Sequence, residues 1–185
     1  MADYKILNES SIENLYLQID TLITKLEYQR PSWDEYFMGL VNEVSKRGTC
    51  NRGRTGAILV KDKRIIATGY VGSPKGIRHC DEIGHQIKTT IHEDGTKSMH
   101  CLRTIHAEIN AICQAAKFGI SINDAVLYCK LEPCYICAKA IINSGITRVV
   151  AQKSYHASKD ARIMFEEAGI AFEILDPEIE KYDLQ

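Results

Sequence analysis

Two short patterns in this chain carry residue types that could hold a catalytic metal ion. One is His-x-Glu, at His106 and Glu108, and the other is Pro-Cys-x-x-Cys, which supplies Cys134 and Cys137. One imidazole and two thiolates form a three-ligand set that Zn²⁺ takes in catalytic sites, where the fourth position is left for water. Cys134 and Cys137 also share one face if their segment opens a helix, and the positive end of that helix favours thiolate. We therefore predict a zinc site at His106, Cys134 and Cys137.

Glu108 follows His106 closely enough to approach the same water without binding the metal. Bound Zn²⁺ lowers the pKa of water to about 7. A neighbouring carboxylate can then take a proton from water and return it to a ring nitrogen and to a leaving amine. A His/Cys/Cys metal with a Glu that is not a ligand is typical of zinc nucleobase deaminases. The pattern thus predicts hydrolytic deamination of an amino-substituted heterocycle, with Glu108 as the catalytic residue.

Other interpretations of these patterns exist. Cys134 and Cys137 alone could be a redox pair, but such a pair would not explain the upstream His106 and Glu108. A purely structural zinc would need a fourth protein ligand and would have no use for Glu108. We favour the catalytic zinc. We expect Cys113 and Cys129, which lie on apolar stretches, to be buried as small hydrophobic residues.

Composition limits the classes of protein that fit. The chain has 185 residues, of which 45% are hydrophobic and 25% charged, which indicates one globular domain of ordinary size. Its 23 basic and 24 acidic residues give a net charge of −1, which argues against general electrostatic binding of nucleic acid. No apolar run is long enough to span a membrane, and the first residues do not resemble a secretory signal. We therefore expect a cytoplasmic protein, in which the seven cysteines serve metal binding, catalysis or burial.

Hydrophobic periodicity predicts an α/β fold with three α/β/α layers around a single mixed sheet. Residues 1–29 form an N-terminal helical extension, residues 30–175 the zinc domain and residues 176–185 a C-terminal tail. A hairpin is expected over 56–60 and 64–68, and further strands over 125–129, 147–151 and 170–175. Helices are expected to follow Ser32, His106 and Ser158 and to cover 135–144. Alternation of helices and strands after the hairpin indicates the mixed sheet.

The N-terminal extension and the segment 71–104 are the least regular parts of this prediction. The extension carries an apolar stripe, which could pack on its own domain or on a sister subunit: Ile12, Leu15, Ile19, Leu22, Ile23 and Leu26. Another apolar face, expected to be buried, follows Ser32: Tyr36, Phe37, Leu40, Val41 and Val44. Segment 71–104 shows no clean period, and we expect a long loop that is functional or held by something other than a core.

Longer stretches resemble the deoxycytidylate (dCMP) deaminase family, and in particular its bacterial late-competence branch. They are RPSWDEYFMGL (30–40), CNRGRTGAILVKDKRIIATGY (50–70), HCLRTIHAEINAI (100–112) and EPCYICAKAIINSGITRVV (132–150). The resemblance implies that zinc is bound by His106, Cys134 and Cys137 and that Glu108 moves protons. It also implies conversion of dCMP and water to dUMP and ammonia, and a dimer or hexamer.

The resemblance extends to a second metal and to the substrate contacts. Some family members carry a second, structural zinc in this region, for which Cys50, Cys80, His85 and Cys101 are the candidates here; the alternative is free thiols and a surface histidine. Basic residues that face the substrate in the family correspond in position to Arg52 and Arg54. Tyr155, with His156, corresponds to a Tyr-His pair in some relatives that could close the pocket.

One position departs from the family pattern. The segment after the second strand is usually Gly-Tyr-Asn-Gly, where Asn helps to recognise the sugar, and this chain has Val71 in that place. A valine side chain cannot form a hydrogen bond with a hydroxyl group. The sequence therefore leaves open the sugar contact at Val71 and any regulation by dCTP or dTTP.

Three hypotheses about function follow. The first is a zinc enzyme acting on dCMP. The second keeps deamination but changes the substrate to cytidine, a tRNA base, or a pterin or flavin precursor; the charge balance argues against tRNA, and flavin-precursor enzymes usually space their cysteines further apart. The third is a non-catalytic, zinc-stabilised module that binds nucleotides.

Overall fold

The computed structural model describes residues 4–7, 10–27, 29–91, 95 and 97–180. The chain divides into two compact units, residues 1–32 and 33–185. The first unit contains helix α1 (Ile12–Glu27). Gln18 on this helix donates a hydrogen bond from Nε2 to the backbone oxygen of Leu7, at 3.0 Å. Three residues of the predicted apolar stripe are partly buried, namely Leu15, Ile19 and Leu22. The other three are exposed, namely Ile12, Ile23 and Leu26.

The second unit contains five helices and seven strands among the described residues. Its helices are α2 (Trp33–Ser45), α3 (Cys80–Ile83), α4 (Ala107–Lys117), α5 (Tyr135–Asn143) and α6 (Lys159–Glu167). Its strands are β1 (Gly56–Lys61), β2 (Arg64–Tyr70), β3 (Ile87–Ile91), β4 (Lys97–Cys101), β5 (Val126–Leu131), β6 (Arg148–Ser154) and β7 (Ala171–Ile179). Among these described helices and those of the first unit, none combines the length and apolarity needed to cross a lipid bilayer.

Five strands form one mixed sheet in the order β2-β1-β5-β6-β7. Strand β1 pairs antiparallel with both β2 and β5, whereas β5, β6 and β7 are parallel. Alternate residues of β1 are buried on opposite faces: Leu59 packs in the cluster that includes α4, α5 and α6, and Ile58 packs in the cluster under α2. This arrangement confirms the predicted α/β/α layers and the mixed sheet.

Segment 71–104 contains more regular structure than the sequence indicated. It forms the short helix α3 and a separate two-stranded antiparallel sheet of β3 and β4. The residues of β3 are all exposed, so this strand does not show the alternating burial from which strands are recognised in a sequence.

Two further expectations were wrong in detail. Strand β7 continues to Ile179, so residues 176–179 of the predicted tail belong to a strand, while residues 181–185 lie outside the described residues. Tyr36, expected on the buried face of α2, is 47% exposed, although its neighbour Phe37 is buried. Tyr36 instead packs on the edges of the Trp33 and Phe37 rings.

Gly69 allows α4 to lie directly against the sheet. A Cβ atom at this position would lie 2.2 Å from the backbone oxygen of Ala107 and 2.4 Å from the backbone nitrogen of Ala111. Only a residue without a side chain permits this approach of strand and helix. The packing fixes the start of α4, and His106 with it, against strand β2.

Arg148 joins helix α2 to the sheet. Its guanidinium donates two hydrogen bonds to the carboxylate of Asp34, at 3.0 and 2.8 Å, and two to that of Glu173, at 2.9 and 3.0 Å. The hydroxyl of Tyr128 also donates to Asp34, at 2.6 Å. Hydrogen bonds from Arg148 lower the pKa of Asp34 below its ordinary value of 3.8.

We predict that Asp34→Asn lowers the free energy of unfolding by about 1 kcal/mol at pH 7, because it removes a partly shielded, two-pronged ion pair. The folded-state pKa of Asp34 is depressed, so its stabilisation is present above the unfolded-state pKa and is lost as the pH falls through the folded-state value. Urea unfolding followed by circular dichroism should therefore show a difference from the wild type that shrinks below about pH 4. Glu43→Gln, which removes an exposed pair with Lys46, should change stability by less than about 0.5 kcal/mol. An equal loss in both variants at every pH would contradict this account of Asp34.

Candidate metal centre and substrate cavity

Two helices begin at the predicted catalytic site. His106 is the residue that caps α4, and Cys134 caps α5, each with extended backbone. Pro133 precedes Cys134 and has no N–H to continue the pairing of strand β5, so the chain leaves the sheet there. The positive ends of both helices therefore point toward the same region, where they favour negatively charged ligands.

The structure brings the three predicted ligands together. Nδ1 of His106 lies 3.6 Å from Sγ of Cys134 and 3.4 Å from Sγ of Cys137, and all three atoms lie within 4.8 Å of one another. Tetrahedral zinc with ordinary bond lengths separates a bound nitrogen from a bound sulfur by about 3.5 Å. The donor set and its spacing therefore fit a zinc ion. Because the structure describes no fourth protein ligand within this group, one position is left for another molecule.

Electrostatics at the site favour the metal-binding form of one of the three side chains, that of Cys134. The Cys137 thiol donates a hydrogen bond to Cys134, and this bond, together with His106, lowers the pKa of Cys134 to about 3 despite burial. The corresponding interaction with Cys134 raises the pKa of Cys137. Cys134 is thus a thiolate at neutral pH, which is the form that binds zinc.

Glu108 lies in the first turn of α4 and is buried, with 7% of its surface exposed. Burial raises the pKa of its carboxyl group, although the nearby His106 opposes the shift. Its side chain is near enough to Cys137 for a hydrogen bond. A buried carboxyl group beside the three candidate metal ligands is placed to accept and donate protons.

A cavity of about 140 Å³ opens beside this group and contains both His106 and Glu108 in its wall. The predicted substrate contacts separate into two sets. Arg52, Val71 and Tyr155 line the cavity. Arg54 is exposed and does not line it; its guanidinium lies 3.6 Å from the carboxylate of Asp81.

Hairpin β3–β4 supplies part of the cavity wall that the sequence did not indicate. Lys97, Met99 and His100 of strand β4 line the cavity, and Arg52 donates a hydrogen bond from Nη2 to the backbone oxygen of Met99. The sequence predicted only a long loop over 71–104 that is functional or held by something other than a core. It could not show which side chains face the cavity, because the strands themselves were not recognisable.

The four candidate ligands of the second metal also meet. Ligand atoms of Cys50, Cys80, His85 and Cys101 lie within 4.8 Å of one another. The Sγ atoms of Cys80 and Cys101 are 3.6 Å apart, and Sγ of Cys50 lies 3.6 Å from Nδ1 of His85. Tetrahedral zinc would separate two sulfurs by about 3.8 Å, so this donor set fits zinc as well. Burial raises the pKa of Cys80 to about 12.

The other two cysteines differ from each other. Cys129 is buried, as expected, whereas Cys113 is exposed, so its predicted burial was wrong. The buried residues of α4 are Ala107, Glu108, Ala111 and Ala115, which leaves Cys113 on the outer side of the helix.

Glu132 is a buried carboxylate that the sequence analysis did not single out. It receives hydrogen bonds from the Arg162 guanidinium at 2.6 and 2.7 Å and from the backbone N–H of Tyr155 at 2.9 Å. Burial opposes its ionisation, but these bonds and one from Ser158 outweigh burial and lower the pKa of Glu132. Its sequence signal was a single acidic residue between a buried strand and Pro133.

The zinc-binding region of cytidine and deoxycytidylate deaminases matches residues 31–153 of the chain. ComE operon protein 2 of Bacillus subtilis is 41% identical over 145 residues, which is 78% of this chain and 72% of that protein. A deoxycytidylate deaminase of Schizosaccharomyces pombe is 36% identical over 92% of this chain but only 53% of its own length, so the chain spans about half of that relative.

A solved structure is also similar. The dCMP deaminase of the cyanophage S-TIM5, in complex with dCMP and dUMP, superposes with a TM-score of 0.63 at 28% identity. The match covers 80% of this chain and 99% of that one. Fold, metal-binding residue types and sequence similarity lead to the same conclusion. The chain belongs to the zinc-dependent cytidine and deoxycytidylate deaminase family.

Proposed function

We propose that this protein is a hydrolase that converts dCMP and water to dUMP and ammonia. The observation that carries the proposal is the buried Glu108 beside the group of His106, Cys134 and Cys137, at the wall of a cavity. Relatives named deoxycytidylate deaminase and a similar structure holding dCMP and dUMP support this substrate. A cytosine nucleotide is the substrate class that accounts for both the site and the similarity.

Each residue of the site has a proposed task. Zinc held by His106, Cys134 and Cys137 would acidify a water molecule at neutral pH. Glu108 takes a proton from the attacking water, passes it to the ring nitrogen and later delivers the second proton to the departing amine. The new carbon–oxygen bond replaces the carbon–nitrogen bond, and ammonia leaves.

The substrate contacts are assigned from the cavity wall. Arg52 provides a cationic donor for a phosphate group, and Tyr155 provides an aromatic wall. Val71 is 7% exposed and contributes an apolar contact in place of a hydrogen bond. Arg54 has no part in this assignment because it faces Asp81.

We expect the purified, zinc-loaded protein to deaminate dCMP in an ultraviolet absorbance assay, in preference to CMP, deoxycytidine and dCTP. Glu108→Gln should lower kcat for dCMP by a factor of about 10² to 10⁴, because the amide cannot carry the protons. Zinc content measured on the same sample should stay at the wild-type value, since Glu108 is not a ligand.

Two outcomes would overturn parts of this assignment. Normal turnover by Glu108→Gln would remove Glu108 from the reaction. No turnover of any of the four compounds by the wild-type, zinc-loaded protein would instead favour a module that only binds nucleotides.

We further propose that Cys50, Cys80, His85 and Cys101 hold a second, structural zinc. The four ligand atoms have the spacing of a tetrahedral site, and Cys50 and Cys80 are 4% and 3% exposed. Three thiols and an imidazole gathered in one place gain stability when they share a metal. Such a metal would hold the ends of segment 71–104, which has little apolar core of its own.

Atomic absorption should therefore find two zinc ions per chain in the wild type and one in His85→Ala. Cys113→Ser is the matched control, because Cys113 is an exposed cysteine outside both groups, and this variant should retain two. One zinc per chain in the wild type, unchanged in His85→Ala, would contradict the second site.

The protein is proposed to act as a homo-oligomer in the cytoplasm. The cysteines of both groups are free, and free cysteines persist in a reducing compartment. Tyr135 and Ile136 on the outer side of α5 are 45% and 57% exposed, whereas Ala138 and Ile141 of the same helix are buried in the core. The exposed pair gives α5 an apolar outer face that a second copy could cover.

Sedimentation equilibrium at micromolar concentration should give a mass of at least twice the chain mass of 20.8 kDa. Ile136→Asp should shift the protein toward the monomer, because it places a charge in the proposed contact. Lys159→Gln, a change at an exposed lysine of helix α6, should not. A wild-type protein that is monomeric at all concentrations would show that no such contact forms.

A further inference from the structure

Glu132 is a buried carboxylate in the cavity wall and does not belong to the proposed catalytic group. Its side chain is only 1% exposed, and it directly follows strand β5, two residues before Cys134. Both of its oxygens are used: Oε1 accepts from Nε of Arg162, and Oε2 accepts from Nη2 of Arg162 and from the backbone N–H of Tyr155. A buried carboxylate needs such complete pairing, because an unpaired charge in this position would be costly.

The hydrogen bonds of Glu132 mainly hold a loop in place. Residues 155–158 connect strand β6 to helix α6. Ser158 Oγ lies 2.8 Å from Oε2 of Glu132 and 2.7 Å from the backbone oxygen of Tyr155. Glu132 thus contacts the loop at its first residue, at Ser158 and, through Arg162, one turn into α6.

The loop held in this way forms one wall of the cavity. Tyr155 and His156 both line it, and their rings lie 4.5 Å apart. Tyr155 also packs against the main core. Neither ring is held in place by a hydrogen bond of its own side chain among those found in the described residues, so the position of this wall depends on the backbone of the loop.

We propose that Glu132 is a positioning residue for substrate binding: through Tyr155 N, Ser158 and Arg162 it holds the Tyr155–His156 wall at the distance that a bound nucleotide requires. This inference rests on the proposed function, because it assigns the wall to the same cavity. Glu132 acts through the loop and is not itself a catalytic residue.

Glu132 holds the loop 155–158 and not the metal group, and this predicts which kinetic constant changes when Glu132 is substituted. Glu108 and the three metal ligands lie on α4 and α5, which the bonds of Glu132 do not join. Loosening the loop should therefore weaken substrate binding and leave the chemical step nearly intact. In Glu132→Gln we expect KM for dCMP to rise about tenfold, with kcat within about threefold of the wild type and zinc content unchanged.

Asp34→Asn provides the matched control. Asp34 also accepts two hydrogen bonds from an arginine, Arg148, but it lies in the first turn of α2 and does not line the cavity. This variant should lose stability and keep the wild-type KM. A rise in KM in both variants would show that general loosening of the fold is the cause and would overturn the positioning role.

A double-mutant comparison tests whether Glu132 acts through Tyr155. If it does, Glu132→Gln should raise KM much less in a Tyr155→Ala background than in the wild type. Hydrogen exchange should show faster exchange of the loop 155–158 in Glu132→Gln but not in Asp34→Asn. Full additivity of the two substitutions on KM would overturn the inference.

If Glu132→Gln does not fold, Arg162→Lys replaces it in every measurement. Arg162 is half exposed, and lysine keeps the charge but loses the two-pronged geometry, so KM should rise in the same direction by a smaller factor. A wild type that turns over dCMP, with KM unchanged in these variants, would overturn this inference alone. A wild type that turns over none of the tested compounds would overturn the proposed function.

Discussion

The ligand atoms of His106, Cys134 and Cys137 lie within 4.8 Å of one another. Cys134 and Cys137 follow His106 by 28 and 31 residues in the sequence, so the packing of the second unit has to bring the three residues together. His106 stands where α4 begins, and Cys134 where α5 begins. Helix α4 is held by its direct contact with strand β2 at Gly69, and α5 by the end of strand β5. A shift of either helix by one ångström would spoil the spacing that tetrahedral zinc needs.

The cavity beside this rigid centre has walls of a different kind. They come from hairpin β3–β4, from the residues around Arg52 and from the loop at Tyr155. These segments contribute few residues to the main core, so polar interactions hold them in place. The side chains of Cys50, Cys80, His85 and Cys101 meet beside the first two, and Glu132 with Arg162 holds the third. The group of His106, Cys134 and Cys137 is thus positioned by packed helices, whereas the cavity walls are held by polar contacts such as those of Arg52 and Glu132.

Different contacts hold the metal group and the cavity walls, so the residues of one can change without those of the other. A fold that fixes the metal by packing can keep its chemistry while the walls that contact the substrate vary. Val71 illustrates the point, since it alters the cavity wall and leaves the metal group unchanged. Function in this family must therefore be argued from the walls of the site as well as from the fold.

The sequence by itself determined the chemistry and the layering. His106, Glu108, Cys134 and Cys137 were recognisable because residue type and spacing are local properties. The sheet was recognisable because its central strands β1, β5 and β6 are mainly buried runs. Tertiary structure alone decided which residues form the walls. Arg54 and Arg52 are two positions apart with the same charge, yet only Arg52 lines the cavity. The residues of strand β3 are all exposed, and Glu132 pairs with Arg162, which lies thirty residues later in the sequence. Such long-range pairings depend on how the elements pack, and no local pattern encodes them.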